Sequence, residues 1–176
     1  EAVAKSYGEK IRYFFKLNSG ISGTLKFGIR QMTGDYFAWL SHDDRFYPQN
    51  IATQMKEHLK RKETIFTYSD YDQIDKDSQV TRVIKIRNNH PEKIIDRLLF
   101  YPEINFCSLV FPKECFVKLG VFNESAPMTQ DYEFLFRLIK AYPFVHVGRR
   151  LVQSRIHETQ NQRRNYDFYI QEKNRF

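Results

Sequence analysis

Residues 36–44 read Tyr36-Phe-Ala-Trp-Leu-Ser-His-Asp-Asp44, a short apolar run that ends in two adjacent carboxylates. Apolar runs of this length are typical of buried strands. In an open α/β sheet, ligands bind beyond the carboxyl ends of the strands. Two acids at such an end can hold a divalent cation against a phosphorylated substrate. Adjacent aspartates are also common in loops, so the alternative is that Asp43 and Asp44 only open the polar loop before Pro48.

Strand and helix patterns alternate on both sides of this stretch. The sequence predicts strands over residues 10–16, 36–40, 65–68, 71–74, 80–86, 106–111, 144–147 and 151–156. It predicts helices over residues 21–32, 48–62, 91–101 and 112–119, and one more that begins at Thr129. Ser22 is the expected N-cap of the first helix, and residues 75–78 are the expected turn of a hairpin. The pattern predicts an α/β sandwich around a largely parallel mixed sheet.

The length of 176 residues fits one domain with a substantial core, followed by a polar tail from about residue 158. No apolar stretch approaches the roughly 20 residues of a membrane span. Cys107 and Cys115 have no metal-ligand spacing and form no disulfide framework, which favours a reduced, cytoplasmic setting.

The net charge of +7 favours anionic partners: phosphates, lipid headgroups or nucleic acid. The basic residues do not alternate with aromatic residues as they do in RNA-binding sheets, so nucleic acid is not an expected partner. A peripheral contact with the inner face of a membrane is compatible with the charge.

A second candidate site begins at Thr129. Asp131 lies in the first turn of the predicted helix, where the positive helix end favours a carboxylate. Such a carboxylate could accept a proton from a hydroxyl within hydrogen-bond reach, although aspartate is also a common stabiliser of first turns. His157 follows the last predicted strand and could ligate a cation or donate to a phosphate. It could also be an ordinary surface histidine.

Six short motifs follow one another along the chain: Asn18-x-Gly20 with Gly28, Gly34 to Asp44 with Pro48, Tyr68-Ser-Asp70, Gly120-Val-Phe-Asn-Glu124, Gln130-Asp131, and Arg155-x-His157. In this order they resemble the motifs of the family 2 glycosyltransferases, which have the nucleotide-sugar-binding GT-A fold. The resemblance runs from about residue 18 to residue 157.

The resemblance implies transfer of a sugar from a nucleotide-diphosphate sugar to an acceptor hydroxyl, with inversion at the anomeric carbon. It implies that Asp43 and Asp44 hold Mn²⁺ or Mg²⁺ and that Asp131 is the base. The residues expected to contact the nucleotide sugar are Asn18, Gly20, Lys26, His42 and His157. The expected acceptor is a saccharide or a lipid-linked saccharide, used in the synthesis of surface polysaccharide or glycoconjugate.

The sequence departs from the family pattern at several positions. Ser41 and Gln130 stand where the family usually has acids, and the family's opening strand and helix would precede Glu1. The chain is therefore expected to be an N-terminally truncated GT-A-like domain. The alternative is a carbohydrate- or anion-binding module of the same fold that has no chemistry of its own. Ring-rich clefts suit the stacking of sugars in either case.

Overall fold

The computed structural model describes residues 2–86, 104–157 and 166–173. The helices are α1 (Ala2–Ser6), α2 (Gly20–Gln31), α3 (Asn50–Leu59), α4 (Glu114–Leu119), α5 (Gln130–Ala141) and α6 (Tyr166–Lys173). The strands are β1 (Tyr36–Phe37), β2 (Arg45–Phe46), β3 (Phe66–Ile74), β4 (Val80–Ile84), β5 (Phe111–Pro112) and β6 (Phe144–Arg155). The described residues also form two 3₁₀ turns, Gly8–Lys10 and Phe106–Ser108.

The main sheet has the strand order β2-β6-β3-β4, and a smaller sheet pairs β1 with β5. Strands β3 and β6 are parallel, whereas β2–β6, β3–β4 and β1–β5 are antiparallel. A bridge between Thr67 and Val110 connects the two sheets. The predicted α/β architecture around a mixed sheet is confirmed. Within the described residues, however, β3–β6 is the one parallel pair, so the sheet is not largely parallel there.

Strand β3 is covered on both faces, because every residue from Phe66 to Asp72 is buried. Side chains alternate between the two faces of a strand. On one face, the Thr67 hydroxyl donates to Gln54 of α3 at 2.7 Å. On the other face, Phe66 and Tyr68 join the main apolar core together with Phe134 and Leu138 of α5. The sheet therefore lies between α3 and α5 as the middle of three layers.

An aromatic cluster connects β1 to α5. Phe37 of β1 lies 5.1 Å, centroid to centroid, from both Phe111 and Phe116, and Phe116 lies 5.2 Å from Phe134. Phe122 lies 4.9 Å from Phe134 on the same side. Buried ring pairs of this kind are worth about 0.5–1.5 kcal/mol each beyond their burial. The cluster fixes the end of β1, which leads to Asp43, relative to the helix that carries Asp131.

Several local predictions agree with the structure. Asp75 accepts hydrogen bonds from the backbone amides of Asp77 and Gln79, both at 2.9 Å, so the predicted hairpin turn at residues 75–78 is confirmed. The predicted helix from Pro48 is present as α3, and the predicted helix 112–119 is present as α4, which ends at Gly120 with φ of +75°. The predicted helix 91–101 lies outside the described residues.

Other local predictions are wrong. Residues 12–19 belong to no helix or strand, and no described strand pairs with them, so the strand predicted over residues 10–16 does not form. Residues 106–108 form a 3₁₀ turn instead of a strand. The strands predicted over 144–147 and 151–156 are one continuous strand, β6. Ser22 is inside α2, where it donates to the Asn123 carbonyl at 3.1 Å; the N-cap position belongs to Ser19.

The predicted polar tail contains a packed helix. In α6, Tyr169 and Glu172 are both buried, and their spacing of three residues places them on one helix face. The remainder of the tail, residues 158–165 and 174–176, lies outside the described residues. No helix in the part of the chain that the structure describes is both long and apolar enough to cross a bilayer.

Candidate active site

The register between β2 and β6 brings the acid pair to the end of the last strand. Arg45 of β2 is opposite Gln153 of β6, and the two strands are antiparallel. Residues just before Arg45 must therefore lie beside residues just after Gln153. Accordingly, Asp44 accepts a hydrogen bond from the Arg155 amide at 2.8 Å, and Asp43 lies 3.1 Å from the imidazole Nε2 of His157.

The Arg155 side chain connects the acid loop to the β3–β4 hairpin. Its Nε donates to the Asp43 carbonyl at 3.1 Å, and its Nη2 donates to the Ser78 hydroxyl at 3.0 Å. Its Nη1 donates to the carbonyls of Asp75 and Lys76. The sequence had indicated Arg155 only as part of a motif, and the structure shows that it holds the loop in place.

Arg155→Met is expected to lower the free energy of unfolding by about 1–3 kcal/mol, because it removes the hydrogen bonds that the guanidinium donates to two separate loops. Urea unfolding at pH 7 measures the change. Arg82→Met on exposed β4 is the matched control and is expected to stay within about 0.5 kcal/mol of wild type. Equal stabilities for the two variants would contradict the anchoring role of Arg155.

Asp43 is held as a carboxylate. Burial alone would raise its pKa, but hydrogen bonds from His157 and Ser41 outweigh burial and lower the pKa below its usual value. His42, at the tip of the same loop, is exposed, and its Nδ1 lies 3.9 Å from Asp43 Oδ1. A negative oxygen ligand is therefore present at this loop at neutral pH.

Asp44 lies deeper than Asp43. Burial is the main reason that its pKa is raised, and the hydrogen bonds from Arg155 and Cys107 offset only part of this. Cys107 is a buried free cysteine whose sulfur also accepts a hydrogen bond from the Ser41 amide at 3.4 Å. The sequence spacing of Cys107 and Cys115 does not predict that Cys107 contacts Asp44 and Ser41.

Asp131 and Asp44 both act electrostatically on Cys107. The pKa of the Cys107 thiol is raised by burial first, then by the charge of Asp44, and to a lesser degree by the charge of Asp131. One buried thiol therefore lies within electrostatic range of both carboxylates. Burial raises the pKa of Asp131 itself to about 6, although its carboxylate accepts a hydrogen bond from the Tyr132 amide at 2.9 Å.

The start of α5 has an unexpected cap. Thr129 occupies the N-cap position, as predicted, but its side chain does not cap its own helix. Its hydroxyl donates to Glu172 Oε1 at 2.6 Å, and its amide donates to the same oxygen at 2.7 Å. A side chain from α6 therefore completes the first turn that carries Asp131.

The structure does not join the remaining predicted residues to this cluster. Asn18 accepts a hydrogen bond from the Gly20 amide at 3.0 Å, and Gly20 starts α2 with φ of +73°. The Lys26 ammonium lies 2.6 Å from Glu124 Oε1. Among the described residues, we find no hydrogen bond or ion pair from Asn18, Gly20 or Lys26 to the acid pair. Their contact with a nucleotide sugar stays a prediction.

Asp43 and Asp44 have the oxygen chemistry that a divalent cation such as Mg²⁺ prefers. Mg²⁺ and similar ions are commonly held by one or two carboxylates together with substrate phosphates. In residues 2–86, 104–157 and 166–173, no group of three or more His, Cys, Asp or Glu side chains could hold a metal ion by itself. Asp43 and Asp44 would thus supply two of the oxygen ligands of such an ion.

Two cavities lie elsewhere on the molecule. One, of about 480 Å³, is lined by residues near the starts of β1, β3 and α4. The other, of about 490 Å³, lies between α3 and β6 and is lined by Lys56, Lys60 and Arg149 among others. None of the candidate carboxylates lines either cavity, so they do not define the acid site.

Comparisons with known proteins agree on one family. The family model described as glycosyl transferase family 2 matches residues 1–111. An uncharacterized glycosyltransferase of Rickettsia conorii is 40% identical over 172 residues, which is 93% of this chain and 28% of the relative. One from Rickettsia typhi is 36% identical over 165 residues, or 91% of this chain and 52% of the relative. The chain thus spans about half or less of these relatives.

A solved structure has the same fold. The crystal structure of S. aureus TarS residues 1–349, in complex with UDP, superimposes with a TM-score of 0.63 at 12% identity. The match covers 89% of this chain and 47% of that chain. At this identity the likeness concerns the fold, and it agrees with the GT-A-type architecture expected from the sequence motifs.

Proposed function

The chain belongs to glycosyl transferase family 2, and we propose that it transfers a sugar from a nucleotide-diphosphate sugar to an acceptor hydroxyl, with inversion. The observation that carries this proposal is the position of Cys107. Its thiol contacts Asp44 and lies within range of the charge of Asp131. This supports the proposal because carboxylates that are 87 residues apart in sequence, 44 and 131, both act on the same thiol.

The acid pair is proposed to bind the donor diphosphate through Mn²⁺ or Mg²⁺. Asp43 supplies an ionised oxygen ligand, Asp44 supplies a second carboxylate, and His157 stands beside Asp43 at 3.1 Å. A divalent cation bound there stabilises the negative charge that grows on the leaving diphosphate. Arg155 contributes indirectly, because it holds the backbone of Asp43 in place.

Asp131 is proposed to act as the general base. A base works best when its pKa lies close to the working pH, and burial raises the pKa of Asp131 to about 6. Its carboxylate would take the proton of the acceptor hydroxyl as that oxygen attacks the anomeric carbon, while the bond from this carbon to the diphosphate breaks. Attack on the face opposite the leaving group inverts the configuration.

The pH dependence of kcat/KM is expected to report this base. Because the ionised form of Asp131 accepts the proton, activity is retained above pH 6 and falls about tenfold per pH unit below it. Initial rates between pH 4.5 and 8, at saturating metal, measure the profile. A rate that stays constant down to pH 4.5 would contradict an essential base with this pKa.

The donor, the acceptor and the cellular role are also part of the proposal. TarS was crystallised with UDP, so UDP-sugars are the first donors to test. The acceptor is proposed to be a saccharide or a lipid-linked saccharide of a surface polysaccharide or glycoconjugate. The chemistry would take place in the cytoplasm or at the inner face of the membrane, where a net charge of +7 favours anionic headgroups.

The test uses the full-length protein with a panel of nucleotide sugars, with Mn²⁺, Mg²⁺ or EDTA. Release of nucleoside diphosphate and the thermal shift with each donor are the two readouts. Metal-dependent turnover of at least one donor, abolished by EDTA, is the expected result. Binding of sugars with no turnover, unchanged in Asp44→Ala and Asp131→Ala, would favour the non-catalytic module. Neither turnover nor a thermal shift with any donor would overturn the proposal.

A further inference from the structure

Glu172 is a buried carboxylate that the chemistry described so far does not use. It belongs to α6, and only 2% of its surface is exposed. Charged side chains are almost never buried to this degree unless they are paired. Its position therefore needs a physical reason.

One oxygen of Glu172 organises the start of α5. Oε1 accepts hydrogen bonds from the Met128 amide at 2.9 Å, from the Thr129 amide at 2.7 Å and from the Thr129 hydroxyl at 2.6 Å. Carboxylates are stabilised at helix N-termini, because unpaired amides and the helix dipole are directed at them. Asp131, two residues after Thr129, is held by the turn that Glu172 orders.

The other oxygen of Glu172 is not compensated. Within the described residues, Oε2 is buried without a hydrogen-bond partner. The charge of Glu172 reaches Asp131 and, after burial, contributes to the raised pKa of that carboxyl. Among the described residues, Cys107 of the 3₁₀ turn and Tyr132 also interact electrostatically with Asp131, and Tyr132 in turn interacts with Tyr71 of β3 and Tyr169 of α6.

Gln130 supplies no charge near Asp131, although the two residues are adjacent in the sequence. It is neutral and buried, and its amide nitrogen fits against the carbonyls of Ala126 at 3.1 Å and Pro127 at 3.0 Å. A carboxylate at position 130 would face these two acceptors without a proton to donate. Glu133, in the same turn, is paired with Arg137 at 2.6 Å.

We propose that Glu172 is a positioning residue for Asp131: it fixes the backbone turn that carries this carboxyl and places a second carboxylate next to that turn. The inference rests on the proposed function of Asp131 as base. Helix α6 is then part of the active site and not a surface appendage.

The test compares Glu172→Gln with wild type. Glutamine keeps a carbonyl oxygen for the Met128 and Thr129 donors but removes the charge. We expect the titration midpoint of Asp131, followed by carboxyl-carbon NMR, to move from about 6 in wild type to a lower pH in the variant. The acid limb of kcat/KM should move in the same direction. Glu133→Gln, which removes a charge from the same turn, is the control and should leave the midpoint unchanged.

A second variant tests the positioning part. In Glu172→Ala, amide hydrogen exchange at Met128 and Thr129 is expected to become at least about tenfold faster, because their acceptor is lost. An unchanged Asp131 midpoint in Glu172→Gln, or unchanged amide exchange in Glu172→Ala, would overturn the inference. Both readouts work without turnover. If both readouts change as expected but the protein turns over no donor, the proposed transferase function fails. The coupling of Glu172 to Asp131 then still stands.

Discussion

Asp131→Asn is expected to lower kcat by about 10²–10⁴-fold, the usual contribution of a general base, while leaving the protein at least as stable as wild type. Asparagine keeps the oxygen that accepts from the Tyr132 amide at 2.9 Å, so the helix start is preserved. Only the ability to take a proton is lost. Turnover with a nucleotide sugar that the donor panel shows to be active and urea unfolding of the same samples measure the two effects.

The stability of this variant should depend on pH. The pKa of Asp131 is about 6 in the folded protein and roughly 3.9 in an unfolded chain. The folded state therefore holds the proton more tightly, and this group favours folding below about pH 4 and loses that contribution as the pH rises through about 6. At pH 7, Asp131→Asn is expected to be more stable than wild type by up to about 3 kcal/mol, with little gain at pH 4.

The control for Asp131→Asn is Asp77→Asn, which removes an exposed carboxylate from the β3–β4 turn. It is expected to leave both turnover and stability close to wild type. If Asp131→Asn retained more than about a tenth of wild-type kcat, Asp131 would not be the base. A loss of stability at pH 7 would show instead that its carboxylate has a structural role.

Asp44→Asn is expected to reduce metal-dependent turnover at least about 100-fold, equivalent to about 2.7 kcal/mol of transition-state stabilisation. The substitution preserves the oxygen that accepts from the Arg155 amide at 2.8 Å. It removes the negative charge that would hold the divalent cation, and it is the cation that would bind the diphosphate. The thermal shift produced by donor plus Mn²⁺ should disappear, whereas the shift in the absence of metal should not change.

The dependence of activity on the Mn²⁺ concentration separates a metal-binding role of Asp44 from a purely structural one. If Asp44 holds the cation, raising the Mn²⁺ concentration should restore part of the activity of Asp44→Asn, and Asp77→Asn should need no extra metal. If Asp44 only supports the loop, added metal should make no difference and the variant should unfold earlier in urea. Full activity of Asp44→Asn at ordinary metal concentrations would exclude both roles.

The family and much of the candidate site could be predicted from the sequence, because their signals are local. The apolar run before Asp43 and Asp44, the turn at residues 75–78 and the helix after Thr129 each depend on neighbours a few residues away. Their order along the chain was enough to indicate the family. The structure reproduces the turn and the helix, whereas the apolar run forms a strand only at Tyr36–Phe37, and Phe37 is the one buried residue of the predicted strand 36–40.

The errors arise where a segment needs a distant partner. Residues 10–16 have strand composition, but a strand forms only when another strand lies beside it to receive its hydrogen bonds. The 3₁₀ turn at Phe106–Ser108 is set by its surroundings in the same way: the Asn105 side chain caps it, and Phe106 joins the aromatic cluster.

The sequence by itself determined the chemical groups: an acid pair after a strand, an aspartate at a helix start and the family to which they belong. Only the tertiary structure decided their protonation and their partners. Cys107 contacts Asp44 across 63 residues, and Glu172 reaches Thr129 across 43. Burial and nearby charge set the proton affinity of a carboxyl, and both depend on which groups are close in space and not on their distance along the chain.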